Sequence, residues 1–473
     1  MNLKKLLSLL LACVLLCGCT SIENDVPAFA ESAAAGTSAS SGVSDTSVFS
    51  DIPEISSVSD TAAQTSAAVT SAAETSADKT DVSTGSADTP TLALITAAPP
   101  ETSATTAAKP EVINGGGIAE PDGETHSVRL LCAGDNLIHK PIYRIANETA
   151  GGNGYDFSPA YENLGTLISD ADLAILNQET IISDDFAPDT YPTFCTPGEM
   201  AKSMIGLGFD AISVSNNHVL DKGEKGLIST LGFWSDNYPD IPVYGAYLND
   251  DDMNDIRTLE VNGIKFAFLG YMEHTNGLFL PAGSPCRITY LSDEDTIRQQ
   301  VRRASQTADC VVVSVHFGIE VSNLITEQQR TFSQKLADWG ADIIIGTQPH
   351  TVQSMQYLTA ADGREAFVFY CLGNFISAMD NPLSMAEMLG ELTVTKNPSG
   401  DIILSDPAAI PLVNYYNSSY TYVGVYPLDK YTRELAGTHG LPGATYDFIL
   451  GVFRNNLPGD YVPEPYKTII FGE

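Results

Sequence analysis

Apolar runs rich in β-branched residues alternate with longer amphipathic stretches along residues 125–473 of the chain. Short buried runs of this kind predict strands, which we place at residues 128–133, 173–176, 211–214, 264–269, 310–315, 343–345 and 367–372. Serine, threonine or proline precedes the helical stretches, which we place at residues 160–169, 198–207, 293–304 and 327–339. Strands that alternate with helices predict an α/β domain.

The pattern changes after about residue 379, where the strand-like pieces become short. We predict additional strands at residues 391–394, 402–404 and 415–422, followed by a helix at residues 446–456. The sequence is therefore divided into a domain at residues 125–380 and a C-terminal segment at residues 381–473, whose strands and peripheral tail complete that domain.

Residues 1–19 have the pattern of an export signal. Lys4 and Lys5 precede an apolar run that ends in Leu16-Cys17-Gly18-Cys19, and this run is shorter than the roughly 20 residues that span a bilayer. The ending is typical of a lipoprotein signal peptide, so we predict lipidation of Cys19 and a lipid anchor on the extracytoplasmic face of the cell membrane. An ordinary secretory signal with an incidental cysteine is the alternative.

Composition predicts a linker at residues 20–124. This stretch is dominated by serine, threonine, alanine and proline, and Phe29 and Phe49 are its aromatic residues. Such a sequence buries too little apolar surface to offset the entropy of the chain, so we predict that the linker is disordered.

The net charge of −35 makes nucleic acid an unfavourable partner, and we predict none. The cysteines that follow Cys19 stand at irregular spacing, and Cys132, Cys310 and Cys371 lie inside apolar runs. This pattern argues against a disulfide framework or a zinc cluster and favours small buried side chains.

Polar residues follow five of the predicted strands at the carboxyl ends, where α/β proteins collect ligand groups. Together they offer carboxylate, imidazole and amide ligands at these positions: Asp135, Glu179, Asn217, His218, His316 and His350. A set without thiolates favours one or two ions of Mn, Fe, Zn or Mg. Taken singly, each residue also fits a simpler explanation, as a turn, a helix cap or a solvated side chain.

Two histidines are candidates for acid–base chemistry. Asp221 follows His218 by three residues and can orient its imidazole. We predict that His218 or His139 protonates a leaving group while Asn217 holds a phosphate oxygen. The sequence contains no Gly-x-Ser-x-Gly elbow, no phosphate-binding Gly-x-x-x-x-Gly-Lys loop and no His-Glu-x-x-His helix, which disfavours the corresponding hydrolase classes.

Six ordered motifs resemble those of the CapA family of poly-γ-glutamate capsule-synthesis proteins. They are Cys-Ala-Gly-Asp at 132–135, Asn-x-Glu at 177–179, Ser-Asn-Asn-His-x-x-Asp-x-Gly at 215–223, His-Phe-Gly-x-Glu at 316–320, Gly-Thr-Gln-Pro-His at 346–350 and Leu-Gly-Asn-Phe at 372–375. The resemblance implies a calcineurin-like metallophosphoesterase fold, a four-layer α-β-β-α sandwich. It also implies a metal site built from the residues above, with Gln348 where such proteins usually have histidine.

Two functions remain open at this point. The first is a metal-dependent hydrolase that acts on a phosphoester or on an anionic cell-surface polymer such as poly-γ-glutamate. The second is a non-catalytic, metal-stabilised factor that binds the polymer or assembles beside a membrane synthase. The long linker and Gln348 favour the second function, whereas the otherwise complete ligand set favours the first.

Overall fold

The computed structural model describes residues 122–472. The predicted signal peptide with Cys19, and the predicted linker up to residue 121, lie outside the described residues. Between residues 122 and 472, no helix is both long enough and apolar enough to cross a membrane.

The first sheet has eight strands and carries three of the candidate ligand loops. Its strands are β1 (His126–Asn136), β2 (Leu173–Asn177), β3 (Ala211–Ser213), β4 (Val243–Tyr244), β13 (Asn374–Ile376), β14 (Ala386–Lys396), β15 (Ile402–Tyr416) and β16 (Val423–Pro427). They follow the order β16-β15-β14-β1-β2-β3-β4, and β13 also pairs with β1. Strands β1 to β4 are parallel, so their carboxyl ends lie at one edge.

The second sheet has six strands and carries the other two ligand loops. Its strands are β6 (Arg257–Val261), β7 (Ile264–Met272), β9 (Cys310–His316), β10 (Ile343–Thr347), β11 (Met355–Thr359) and β12 (Glu365–Phe369). They follow the order β11-β12-β10-β9-β7-β6, with a parallel centre and antiparallel edges. A small third sheet pairs β5 (Ala246–Tyr247) with β8 (Arg287–Ile288).

Ten α-helices connect or cover these strands within residues 122–472. They are α1 (Lys140–Thr149), α2 (Ser158–Tyr161), α3 (Glu199–Leu207), α4 (Gly223–Asn237), α5 (Asp250–Asn254), α6 (Glu294–Ala304), α7 (Glu327–Trp339), α8 (Arg433–Ala436), α9 (Tyr446–Asn456) and α10 (Tyr466–Phe471). Short 3-10 turns occupy Glu162–Leu164, Pro382–Met385 and Gly459–Tyr461.

Alternate residues of the second sheet pack in opposite directions. Phe266 on β7 belongs to a large apolar core that also contains Ile175 of the first sheet. Its neighbour Ala267 belongs to a smaller core together with Val301 of α6 and Leu336 of α7. The period of two residues along a strand produces this arrangement. Since α3 and α4 also contribute to the large core, the predicted four-layer α-β-β-α sandwich is confirmed.

Local signals predicted four of the ten α-helices within residues 122–472, at residues 198–207, 293–304, 327–339 and 446–456. The helix at residues 327–339 is confirmed. It begins at Glu327 because Thr326 and Gln329 form a capping box there. The predicted helix at residues 160–169 is wrong. The chain leaves helical geometry after Leu164, since Gly165 adopts a positive φ of 60°.

Two of the C-terminal strands proved longer than predicted. The predicted strand at residues 415–422 is wrong, because β15 ends at Tyr416 and the chain turns before β16 begins at Val423. The pieces at residues 391–394 and 402–404 are parts of β14 and β15, which pair with each other over most of their length. Strand β14 also pairs with β1, and this pairing places the segment after residue 381 in the same sheet as Asp135.

Candidate metal centre

The candidate ligands lie where strands of both sheets end. Asp135 is near the end of β1, and Glu179 follows β2 by two residues. His316 is the last residue of β9, and His350 follows β10. Each strand is buried and apolar up to the point where its ligand residue appears, so the backbone holds these polar side chains inside the protein.

Asp135, Glu179 and His350 form a group that can hold a metal ion. Each offers one ligand atom, and these atoms lie within 4.8 Å of one another. The Nδ1 atom of His350 is 3.1 Å from Asp135 Oδ2, and its Nε2 atom is 3.7 Å from Glu179 Oε1. Asp135 and Glu179 are 0 % exposed and His350 is 4 % exposed, so the protein shields these ligand groups from bulk water.

Glu179 provides the test of whether a cation fits this group. Both of its carboxylate oxygens are buried and neither has a hydrogen-bond partner. A buried carboxylate without hydrogen bonds is strongly unfavourable. Burial and the neighbouring Asp135 raise the pKa of Glu179. A divalent cation would remove this cost, because it would bind the Glu179 oxygens. The oxygen and nitrogen atoms of the group lie close enough together to bind one such ion.

Electrostatics divides the two carboxyl groups. Burial acts to raise the pKa of Asp135, but the hydrogen bond from His350 and the charge of its imidazole outweigh it and lower the pKa. Burial acts to lower the pKa of His350, but Glu179 and Asp135 raise it to about 10. The site thus holds Asp135 as a carboxylate beside a protonated His350.

His316 and Asn217 approach the same Glu179 from the other sheet edge and from the loop after β3. His316 Nε2 is 3.5 Å from Glu179 Oε1 and 3.1 Å from Asn217 Oδ1. Its Nδ1 atom is 2.8 Å from Thr347 Oγ1. Burial lowers the pKa of His316 to about 3, despite the nearby Asp135. His316 is therefore a neutral imidazole, the form that binds metals.

Gln348 lies in the loop after β10, whose backbone is constrained. Gln348 and His350 both adopt positive φ angles, of 98° and 54°. The Nε2 atom of Gln348 donates to Glu320 Oε1 at 3.0 Å, while its Oε1 atom is buried without a partner. Since a carboxylate can only accept, Glu320 fixes which end of the amide is left free.

His218 is paired with Asp221, as the spacing predicted. His218 Nδ1 is 2.8 Å from Asp221 Oδ2, and that oxygen also accepts from the amide of Phe194 at 2.5 Å. Burial acts to lower the pKa of His218, but the hydrogen bond to Asp221 and the charge of Glu179 raise it. Its Nε2 atom is therefore suited to carry a transferable proton.

His139 lies outside the group that can hold a metal ion. Its ring packs edge-on against Phe194 at 5.3 Å, and Phe194 packs edge-on against His218 at 4.8 Å. The Nδ1 atom of His139 is 3.3 Å from the amide of Ala378. Burial and the charges of His350 and His218 lower the pKa of His139 to about 4. The pKa of His218 is thus raised and that of His139 is lowered, so His218 is the better candidate for a proton donor.

Sequence reasoning missed two asparagines that hold the ligands. Asn177 Nδ2 donates to Asp135 Oδ1 at 2.6 Å, and Asn374 Oδ1 is 3.0 Å from His350 Nδ1. Both lie in motifs that the sequence had singled out, Asn-x-Glu and Leu-Gly-Asn-Phe. Their presence in those motifs was the available signal, but no local pattern indicates which ligand each one contacts.

A close backbone approach brings Asp135 and Asn374 together. The amide of Asp135 donates to the carbonyl of Gly373 at 3.0 Å. A Cβ atom on Gly134 would lie 1.9 Å from that carbonyl oxygen. Glycine at position 134 is therefore required for β1 to approach β13 and for both asparagine contacts to form.

The free cysteines are not part of the centre. All five cysteines of the described residues are buried and unpaired with each other, namely Cys132, Cys195, Cys286, Cys310 and Cys371. They pack as small apolar side chains, and this agrees with their positions in the apolar runs of the sequence.

Residues 129–379 match the family model described as bacterial capsule synthesis protein PGA_cap. The chain is 31 % identical over 183 residues to the capsule biosynthesis protein CapA of Bacillus anthracis, which covers 38 % of this chain and 42 % of that protein. It is 29 % identical over 205 residues to the PGA biosynthesis protein CapA of Bacillus subtilis strain 168, which covers 43 % and 52 %. The match thus spans about half the length of these relatives.

Solved structures with a broadly similar course include the NAD nucleotidase of Haemophilus influenzae. Its TM-score is 0.39 at 13 % identity, with coverage of 74 % of this chain and 60 % of that chain. A putative 5'-nucleotidase from Staphylococcus aureus has a TM-score of 0.36 at 14 % identity, with coverage of 64 % and 54 %. At these scores the likeness supports no inference about function.

Proposed function

The chain belongs to the bacterial capsule synthesis protein PGA_cap family, and we propose that it takes part in the synthesis or export of an anionic capsule polymer at the cell envelope. The membership confirms the resemblance carried by the six motifs. The names of the two curated relatives, which refer to capsule and PGA biosynthesis, support a polymer of the poly-γ-glutamate kind.

A divalent cation held by Asp135, Glu179 and His350 is the centre of the proposed activity. The single observation that carries this proposal is the pair of buried, unpartnered oxygens of Glu179. Asn217, His316 and Gln348 are the further residues that would hold a second ion. Mn, Fe, Zn and Mg all suit ligands of this kind.

The charge of the protein gives such a cation a second role. With a net charge of −35, the chain as a whole repels a polyanion. Contact with a phosphate or carboxylate group therefore depends on local positive charge. The centre concentrates its ligands at one buried point, and a cation there would offset that repulsion where the polymer is gripped.

The chemistry proposed is hydrolysis or transfer at a phosphoester or at a bond of the polymer. A bound divalent ion would polarise the attacked group and lower the pKa of a water molecule. His218, oriented by Asp221 at 2.8 Å, would protonate the leaving group. The amide oxygen of Asn217 lies 3.1 Å from His316, and its NH2 group, which donates to Asn276 Oδ1 at 3.4 Å, would instead donate to a substrate oxygen.

A non-catalytic factor that binds the polymer or assembles with a membrane synthase is the second candidate. The glutamine at position 348, where histidine is usual, favours this candidate, because an amide oxygen binds a divalent ion more weakly than an imidazole does. In that case the centre would stabilise the fold and grip the polymer without turning it over.

Substitution of His218 distinguishes the two candidates. In a capsule-forming strain that lacks its own family member, His218→Ala should abolish polymer production if the protein is a catalyst, although Asp135, Glu179 and His350 remain to hold a metal. His350→Ala should abolish it in both cases, and Asp221→Asn should give an intermediate yield. Wild-type polymer levels with His218→Ala, together with loss in His350→Ala, would favour the assembly factor.

Anchoring through Cys19 is part of the proposal for location. A lipid anchor followed by a long linker would place the centre on the extracytoplasmic side, beside a synthase in the membrane. Metabolic labelling with an alkyne fatty acid should mark the wild-type protein and leave Cys19→Ala unlabelled. Equal labelling of the two proteins would contradict the anchor.

A further inference from the structure

Glu387 on β14 carries a fully buried carboxyl group that lies outside the group able to hold a metal ion. Burial raises the pKa of this carboxyl group well above its usual range. Its hydrogen-bond partners are all donors. Its Oε2 atom accepts from the backbone amide of Asn374 at 2.7 Å. Its Oε1 atom accepts from the side-chain atoms Asn374 Nδ2 at 3.3 Å and Asn414 Nδ2 at 3.2 Å. Buried carboxyl oxygens are tolerated when they accept hydrogen bonds in this way, and these bonds leave Asn374 little freedom.

Asn374 connects Glu387 to a candidate metal ligand. Because the Asn374 NH2 group donates to Glu387, its amide oxygen faces the other way, 3.0 Å from His350 Nδ1. An amide oxygen only accepts, so the hydrogen of the imidazole must sit on Nδ1. Asp135 Oδ2, 3.1 Å from the same nitrogen, requires the same arrangement. The Nε2 atom of His350, 3.7 Å from Glu179 Oε1, is therefore the nitrogen that gives up its proton when a metal binds.

We propose that Glu387 is a positioning residue. It fixes the side-chain amide of Asn374 with its oxygen toward His350 and thereby presents His350 Nε2 to the metal. The inference rests on the proposed metal centre and explains how a neighbouring strand prepares it. His350 donates to Asn374, and Asn374 donates to Glu387. Glu387 is the last acceptor of this chain and so sets its direction.

The substitution Glu387→Gln tests this direction with almost no change in volume. One carboxylate oxygen becomes an NH2 group that faces the NH2 group of Asn374. The Asn374 amide relieves the clash by turning over, which directs its NH2 group at His350 Nδ1 and moves the ring hydrogen to Nε2. Loss of a partner that orients a ligand lowers metal affinity by about 10- to 100-fold.

The experiment measures the zinc affinity of the full-length protein by competition with a chromophoric chelator. The variants are Glu387→Gln, Asn374→Ala and the double substitution, and Glu391→Gln is the matched control. Glu391 lies on the same strand and pairs with Arg129. Its substitution therefore removes a carboxylate without changing the contacts of Asn374. Circular dichroism checks that each variant is folded.

We expect Glu387→Gln and Asn374→Ala each to weaken zinc binding by about 10- to 100-fold, with the double variant no weaker than Asn374→Ala alone. Once Asn374 has lost its amide, Glu387 has no route to His350. Wild-type affinity in Glu387→Gln, or losses that multiply in the double variant, would overturn the inference while leaving the metal centre intact.

Two further outcomes are decisive. If Glu387→Gln does not fold, Asn374→Ala alone must show the loss, and wild-type affinity there overturns the inference. A wild-type protein that binds no zinc overturns the proposed metal centre itself, and the inference with it. Unchanged affinity in Glu391→Gln is expected in every case.

Discussion

Metal binding at the candidate centre should strengthen as the pH rises. Burial and Asp135 raise the pKa of Glu179. Burial acts against the protonated form of His350, but Glu179 and Asp135 nevertheless raise its pKa to about 10. Without a metal these groups retain protons, whereas a metal binds the carboxylate and the neutral imidazole. Binding must therefore release protons.

The size of the effect follows from His350. With a pKa of about 10, its ring gives up one full proton on metal binding at any pH from about 6 to about 8. One released proton makes the affinity rise tenfold, or about 1.4 kcal/mol, per pH unit. Protons released from Glu179 add to this slope. We expect the dissociation constant for zinc to fall at least about 100-fold from about pH 6 to about pH 8.

The same groups act in the opposite sense on the metal-free protein. Their pKa values are higher in the folded state than in the unfolded state, so the folded state binds more protons. The resulting stability is fully present below the unfolded pKa and is lost as the pH rises through the folded pKa. The buried neutral His139 and His316 act in the opposite sense only below their unfolded pKa. Above about pH 7, the melting temperature of chelator-treated protein should therefore fall as the pH rises, while the gain on adding zinc grows.

Chelator competition at constant ionic strength measures the affinity, and calorimetry in two buffers of different ionisation enthalpy counts the protons released. Glu391→Gln, whose carboxylate pairs with Arg129 outside the centre, should show the wild-type slope. A dissociation constant that does not change across this pH range, or heats that are equal in both buffers, would refute the reasoning.

Three other substitutions have definite expected outcomes. Gln348→His should raise the bound metal by up to one equivalent, since imidazole is the stronger ligand, as read by elemental mass spectrometry. Gly134→Ala should cost about 3 kcal/mol or more in denaturant unfolding, because its Cβ would lie 1.9 Å from the Gly373 oxygen. Gly206→Ala is its control, with nothing within 4 Å, and should be neutral or stabilising by up to about 1 kcal/mol. Thr326→Ala should cost about 1 kcal/mol in the same assay through loss of the capping box.

The central strands could be predicted because they are continuous apolar runs, as expected for parallel strands that are covered on both faces. The edge strands were missed for the complementary reason. In β6, Arg257–Val261, partly exposed residues alternate with exposed ones, and β8 has only two residues. Neither carries an apolar run, and each exists only because a buried neighbour offers unpaired backbone groups.

The candidate ligands could be predicted because each follows a buried strand, and the parallel strands of each sheet end at one edge. Their orientation could not. The contact between Asn374 and His350 depends on the pairing of β13 with β1, which sets Asn374 opposite Asp135. That pairing requires glycine at position 134 and a long-range return of the chain. The low pKa of His139 likewise arises from burial, which the spacing of histidines does not show.

The most direct test of the account is the metal content of the full-length protein, purified without chelator and measured by elemental mass spectrometry. Wild type and the control Glu391→Gln should retain one or two equivalents of a divalent metal. Glu179→Gln and His350→Ala should lose it while remaining folded. A folded wild-type protein that retains no divalent metal, even after incubation with manganese and zinc, would contradict the account.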